Sequence, residues 1–170
     1  MTAAGEPEPA PLRIRRAVRG AVLDPEDRIM LVRFEFPDVT IWATPGGGQE
    51  PGEDDEATLR RELDEELGLA VDELGPHLWT RTVIIPFLDG SWDGQRDHVY
   101  LVRTPSFTPT PTMTWEQLLA ERVHELRWWT VGELTAAGRD GVVFAPRRLP
   151  ELVAALVREG PPDAPVDIDG

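Results

Sequence analysis

The stretch GGGQEPGEDDEATLRRELDEELGL, Gly46 to Leu69, decides how this chain is read. Leu59, Leu63 and Leu67 recur at helical spacing, so Ala57 to Leu67 reads as a helix with a buried leucine stripe, and Gly68 is placed to end it. On that helix Glu62, Glu65 and Glu66 fall within an edge roughly 100° wide beside the stripe. Like charges at such spacings repel by about 0.2–0.5 kcal/mol per pair. Taken alone, a run of this kind is a solvated helical face. Its surroundings point elsewhere: three carboxylates, with Glu53 ahead of them, suit a hard divalent ion of the magnesium type, which takes oxygen ligands and would turn repulsion into attraction. Just upstream, Gly46, Gly47 and Gly48 supply backbone without side chains, able to come close to a metal-bridged phosphate.

The whole chain sets the bounds. Its 170 residues fit one domain of ordinary size with a substantial core. The absence of cysteine excludes disulfides, thiolate metal sites and thiol nucleophiles. A formal net charge of −14 argues against capture of a nucleic-acid polymer, which needs a basic surface. A small phosphorylated ligand accompanied by divalent cations is compatible with that charge. Neither a secretory leader nor an apolar run of membrane-spanning length is visible, so the expectation is a cytoplasmic protein without a membrane partner.

Residues 1–11 and 160–170, rich in Pro, Ala and acid, read as disordered tails around a folded body of residues 12–159. Within it, Ala17–Leu23 and Ile29–Phe34 read as strands joined by the turn DPED, and Ile41–Thr44 as a short strand entering PGGG. Trp79–Phe87 and His98–Val102 read as strands around DGSWDGQRD, and the proline-rich Thr104–Thr112 as an extended loop. A short helix at Trp115–Ala120, a strand at Val123–Trp129 and a closing helix at Pro146–Arg158 complete an α/β layout, a mixed sheet covered by helices.

From Gly47 the chain runs through Glu53, Arg61, Glu62, Leu63, Glu65, Glu66, Gly68 and Leu69 in a pattern that resembles the signature of the Nudix hydrolase family at every specified position. Residue frequencies put a chance match on the order of 10⁻⁶. The resemblance implies an α/β/α sandwich whose catalytic loop and helix carry the signature. It also implies an enzyme, a metal-dependent pyrophosphohydrolase that cuts a phosphoanhydride in a nucleoside diphosphate derivative using Mg²⁺ or Mn²⁺. Glu62, Glu65 and Glu66 would be metal ligands, and Glu62 or Glu65 would also handle the proton of the attacking water. Arg61 would orient these carboxylates, Glu53 would support the metal or that arginine, and Gly47 would shape the loop and offer a carbonyl to the ion. Family members that take a base from a later loop make Glu116 and Glu121 the leading candidates here, ahead of Glu125. Relatives that pair suggest a homodimer, while the chain itself leaves oligomeric state open.

Substrate choice is less defined. Gly47 and Gly48 would face the phosphates, Trp42 precedes the glycine loop and offers a face for a base, and Arg81 is a candidate for phosphate or ribose. Trp92, in a hairpin-like turn, is a second stacking candidate, and His77, His98 and His124 show no metal-triad spacing. Pro86 and Phe87 stand near, but off, positions that mark subfamilies for ADP-ribose and dinucleoside polyphosphates. Oxidised or ordinary nucleoside triphosphates, ADP-ribose and nucleotide sugars all stay open. The alternative is a catalytically silent nucleotide-sensing domain, which the intact glutamates disfavour; isoprenoid diphosphate isomerisation would need a cysteine.

Overall fold

The computed structural model describes residues 9–168. Its core is a nine-stranded mixed sheet. β1 (Ile14–Leu23), β2 (Ile29–Glu35), β3 (Thr40–Ala43) and β4 (Gly46–Gly48) precede helix α1 (Asp55–Leu67). β5 (His77–Val83) and β6 (Gly94–Arg103) form an antiparallel hairpin, followed by α2 (Trp115–Ala120), β7 (Val123–Trp129), α3 (Val131–Arg139), β8 (Val143–Ala145), α4 (Leu149–Glu159) and β9 (Val166–Ile168). The order across the sheet is β8-β3-β2-β1-β6-β5-β9, with β4 also paired to β1 and β7 to β2. The pairs β1·β6, β3·β8 and β5·β9 are parallel.

Alternation along β1 assigns the two faces. Val18 and Val22 point to α1 and pack with Leu59, Leu63 and Leu67, whereas Ala21 and Leu23 point to the layer formed by α3 and α4, with Leu134, Leu149, Val153 and Leu156. The three leucines of α1 are fully buried, each contributing about 1.5–3 kcal/mol of transfer free energy. The result is the α/β/α sandwich expected from the sequence. No helix among the described residues is long and apolar enough to cross a membrane.

Local chemistry fixes where α1 lies. The Asp54 side chain accepts from the Ala57 N–H at 2.8 Å and starts the helix, and Gly68, in a left-handed conformation, ends it. Asp55 in the first turn accepts from Tyr100 Oη at 2.7 Å and lies 2.8 Å from His98 Nδ1, which ties the helix start to β6. At the other end the proline-rich loop supplies donors to carbonyls that a helix terminus leaves unmet. Thr110 N–H reaches Leu67 O at 2.9 Å and Met113 N–H reaches Glu65 O at 3.1 Å. That stitching delivers the chain into α2 and sets Glu121, which caps α2, beside the acidic edge of α1.

Several elements differ from the sequence reading. The glycines at 46–48 form a strand, because residues Ala17–Arg19 of β1 diverge from β2 and need partners there. β5 stops at Val83, where Ile84 and Ile85 become exposed. α3 and β8 occupy residues that carried no expectation. The tail expected to be disordered holds β9, paired to Trp79–Arg81, while residues 1–8 and 169–170 of the two tails lie outside the described residues.

One acid test of the fold arises at the β1–β2 turn. Asp24 is buried, accepts from the N–H groups of Glu26 and Arg28, from Arg28 Nε at 2.8 Å and from Ser106 Oγ at 3.0 Å, and is held below the usual carboxylate range by these bonds against the cost of burial. A depressed folded-state pKa stabilises above the unfolded value and is lost as pH falls through the folded one. The stability gap between the native chain and Asp24→Asn is therefore expected to be widest near neutral pH and to close below about pH 4, as measured by thermal melts. A gap that is constant with pH would contradict this role.

Candidate active site

The carboxylate edge of α1 faces the glycine strand. Glu66 is 2% exposed and its Oε2 accepts the Gly46 N–H at 2.9 Å. Burial pushes its carboxyl up to about 8, reinforced by Glu62 and opposed by the Gly46 bond and Arg19. Glu62, also buried, has its carboxyl raised, first by desolvation and then by Glu65 and Glu121, against the pull of Arg61. A Cβ on Gly47 would lie 2.5 Å from Glu62 Oε1, so only glycine lets this carboxylate lie against the strand. On the other face, an added Cβ on Gly48 would displace the Arg15 guanidinium, which lies directly over this glycine.

Arg61 organises the edge. Its Nε lies 2.7 Å from Glu53 Oε1, its Nη2 reaches Glu53 Oε2 and Gly48 O at 3.0 Å, and its Nη1 reaches Glu62 Oε1 at 2.9 Å and Glu65 Oε2 at 3.3 Å. A planar fork with five N–H donors can serve all of these acceptors at once. Glu53, chiefly through Arg61 and further through the Glu50 N–H and Thr58 Oγ1, is held down to about 2. The arginine's own acidity is correspondingly suppressed, first by the Glu53 bonds.

Of the two loop acids, Glu121 meets the site: its carboxyl is raised by partial burial and by Glu65 and lowered by Arg15 and Arg61. Glu116 is exposed on the first turn of α2, and Glu125 lies on β7 with Arg33 Nε at 3.4 Å. Trp42 is not at the site. Alternation on β3 turns it into the core, where its ring meets Trp129 edge-on at 5.0 Å. Arg81 lies on the α4 face, 3.6 Å from Asp97.

Two cations at the site escaped the sequence reading, which began β1 at Ala17. Arg15 lies over Gly48 with Phe87 5.6 Å from its guanidinium carbon, and its one hydrogen-bond partner among the described residues is Gln95 Oε1 at 3.3 Å. It forms no ion pair among the described residues. Arg19, four residues on, binds Asp97 at 2.9 Å and Thr44 O at 3.1 Å and interacts with Glu66 and Glu62. The arginine-rich start IRRAVR was the available signal, since alternate positions of one strand share a face.

Among the described residues no three His, Asp or Glu side chains close on a common point as a finished metal cage. The expected grouping of Glu53, Glu62, Glu65 and Glu66 is opened by Arg61, which takes up Glu53 and draws Glu62 and Glu65 toward itself, while Glu66 turns to Gly46. The donor set nonetheless fits a divalent cation: all are oxygen donors, and two of the carboxylates are buried where their charge is poorly compensated.

The NUDIX domain matches residues 13–148, and the chain belongs to the Nudix family. The nucleoside triphosphatase NudI of Escherichia coli is 43% identical over 63 residues, which cover 36% of this chain and 43% of NudI, so the chain spans less than half the length of the curated relatives it matches. Among solved structures, the MutT NUDIX hydrolase of Burkholderia pseudomallei superposes with a TM-score of 0.56 at 25% identity, over 71% of this chain and 86% of that one. The NUDIX domain of Shewanella oneidensis NrtR complexed with ADP ribose shares the fold at a TM-score of 0.63 and 17% identity, over 91% and 95% of the two chains.

Proposed function

We propose that this chain is a metal-dependent pyrophosphohydrolase that cleaves a phosphoanhydride bond in a small nucleoside diphosphate derivative: an oxidised or ordinary (deoxy)nucleoside triphosphate, ADP-ribose or a nucleotide sugar. The observation that carries the reading is the pair of buried, undercompensated carboxylates, Glu62 and Glu66, clamped between a glycine strand and Arg61. Glu62, Glu65 and Glu66 would hold Mg²⁺ or Mn²⁺, with Glu53 and Gly47 in support. Such an ion, when bound, neutralises phosphate oxygens and lowers the pKa of water.

The chain's own groups supply the rest. Arg61 holds Glu62 and Glu65 in place through bonds that leave each carboxylate a second oxygen. Arg15, uncommitted to any acid among the described residues, is placed to take a phosphate oxygen that becomes more negative as the bond breaks. Glu121 suits proton transfer from water, since a carboxyl raised above its ordinary range is a better base near neutral pH.

A release assay tests the reading. Nucleoside triphosphates, nucleotide sugars, ADP-ribose and dinucleoside polyphosphates are each supplied with Mg²⁺ or Mn²⁺, and with excess chelator. At least one class is expected to release phosphate, pyrophosphate or nucleoside monophosphate, and chelation is expected to abolish it. Release that survives chelation would contradict the reading, and binding of one compound without release would favour a sensor.

A further inference from the structure

Arg15 stands where a cation is disfavoured. It is partly buried on β1, four residues from Arg19, and burial first and that second arginine next lower its pKa from the ordinary value. The acids that act on it, Glu62, Asp97 and Glu121, do so only through space, and its one hydrogen bond among the described residues goes to the uncharged amide of Gln95. We propose that Gln95 and Phe87 are positioning residues for the reaction: they hold the Arg15 guanidinium over the glycine strand with neutral groups, so that its whole charge is left for a phosphate oxygen of the substrate. The inference rests on the phosphate role given to Arg15 above and names the groups that aim it.

The sheet register brings the amide to the cation. β1 and β6 run parallel with Arg15 opposite Gln95, and Gln95 Oε1 accepts from Arg15 Nη1 at 3.3 Å. At its other end the amide is fixed: Gln95 Nε2 donates to Asp97 Oδ1 at 2.8 Å, and the same oxygen accepts from Arg19 Nε at 2.9 Å. Asp97 is 2% exposed, so this anchor does not wander into solvent. An amide has one accepting and one donating end, and with the donor committed to a carboxylate its carbonyl is turned toward Arg15. A glutamate at this position would neutralise Arg15 and repel Asp97.

Phe87 supplies the second neutral contact. Its ring centre lies 5.6 Å from the Arg15 guanidinium carbon, and a ring face attracts a cation through its quadrupole without cancelling the charge. The loop that carries this ring, residues 84–93 between β5 and β6, is tied to the start of β1. Arg13 Nε and Nη2 meet Asp93 at 3.1 and 3.0 Å, Arg13 Nη2 also reaches Gly90 O at 3.0 Å, and the Phe87 N–H closes the loop on Trp92 O at 2.9 Å. The tether is two residues from Arg15, so ring and cation share one footing. Gly48 completes the arrangement, since the guanidinium occupies the space that a Cβ there would fill.

The test titrates imidodiphosphate, a diphosphate analogue bridged by nitrogen, calorimetrically into the full chain at constant Mg²⁺, so that no turnover is needed. The native chain is expected to bind it, Arg15→Ala to bind it about tenfold or more weakly, and Gln95→Met and Phe87→Leu each about three- to tenfold more weakly. In the Arg15→Ala background the same two substitutions should shift affinity by less than about twofold, because each acts through the arginine. Gln95→Met leaves Asp97 its Arg19 bond and Phe87→Leu keeps an apolar side chain in the loop, so both should fold. Leu88→Ser, exposed in the same loop, should bind as the native chain does. A second readout uses no ligand: the Nη signals of Arg15 in a ¹⁵N-labelled chain, identified by their loss in Arg15→Lys, are expected to be resolved in the native chain and merged by free rotation in Gln95→Met and Phe87→Leu. Additive losses in the double variants, native affinity in Gln95→Met and Phe87→Leu, no binding by the native chain, or unchanged Nη signals would each overturn the proposal. Both readouts behaving as expected in a chain that hydrolyses no compound in the release assay would instead contradict the proposed reaction and leave the positioning of Arg15 standing.

Discussion

Glu66→Gln is expected to lower hydrolysis by about 10²–10³-fold, the scale of losing one preorganised charge-stabilising group, while leaving the fold at least as stable. The two halves of this expectation have one cause. Glu66 is buried, with a carboxyl pushed up to about 8, so without a cation the folded chain holds it chiefly protonated at neutral pH and carries the anion only at a cost in desolvation. Glutamine has the same shape and a carbonyl that can still accept the Gly46 N–H, and it stays neutral without the proton that the folded carboxyl must take up. A residue retained only for packing would tolerate that exchange with no change in turnover. Undiminished rates, or a variant that no longer folds, would contradict the role given to Glu66.

Arg61→Ala is expected to damage both properties. Glu53 and Glu62 would lose their principal cation, and Glu65 and Gly48 O would each lose a donor. Removing one partner of a buried ion pair costs about 3–5 kcal/mol, and because Arg61 keeps partial contact with solvent a loss of about 2–4 kcal/mol is expected by urea titration. Turnover should fall at least as far as in Glu66→Gln, since the carboxylates would no longer be held. Arg61→Lys separates the contributions: a single ammonium can restore one ion pair but not the planar fork, so stability should recover in part and turnover hardly at all. Recovery of full turnover in the lysine variant would show that charge alone, and not geometry, is what Arg61 provides.

The sequence pattern foretells the acidic helix well, because three leucines and three glutamates at helical spacing constrain each other and Asp54 and Gly68 bracket them. The layered α/β class follows from the same alternation of apolar runs. What escapes notice is structure that depends on partners distant in the chain. Gly46–Gly48 carry no side-chain pattern, and the strand they form exists because Ala17–Arg19 pair with them. The tail strand is three residues long between prolines and an end, and only the exposed edge of β5 makes V-D-I a strand. α3 is a different case: Thr130 and Glu133 form a capping box that was readable, but Gly132 and Gly138 weaken the helical pattern.

Site residues divide along the same line. Arg61, Glu53 and the three glutamates sit on one helix and its entry turn, so spacing alone brings them together. Trp42 was misplaced because its nearness to the glycine loop in sequence says nothing of the face of β3 it occupies. Glu121 could be separated from Glu116 only once the hydrogen bonds from Thr110 and Met113 to the end of α1 set the direction of α2. Arg15 was passed over because a cation on a half-paired strand looks like ordinary surface until its neighbours are known.

The decisive observation concerns the ion. Mn²⁺ is titrated into the native chain and into Glu66→Gln, with free Mn²⁺ followed by electron paramagnetic resonance, in the presence and absence of a hydrolysed nucleotide. The native chain is expected to bind Mn²⁺ more tightly when nucleotide is present, and the variant to bind it about 10–100-fold more weakly under both conditions. Equal Mn²⁺ affinity in the two proteins would mean that the carboxylates crowded along α1 do not hold the cation, and the proposed chemistry would fail with them.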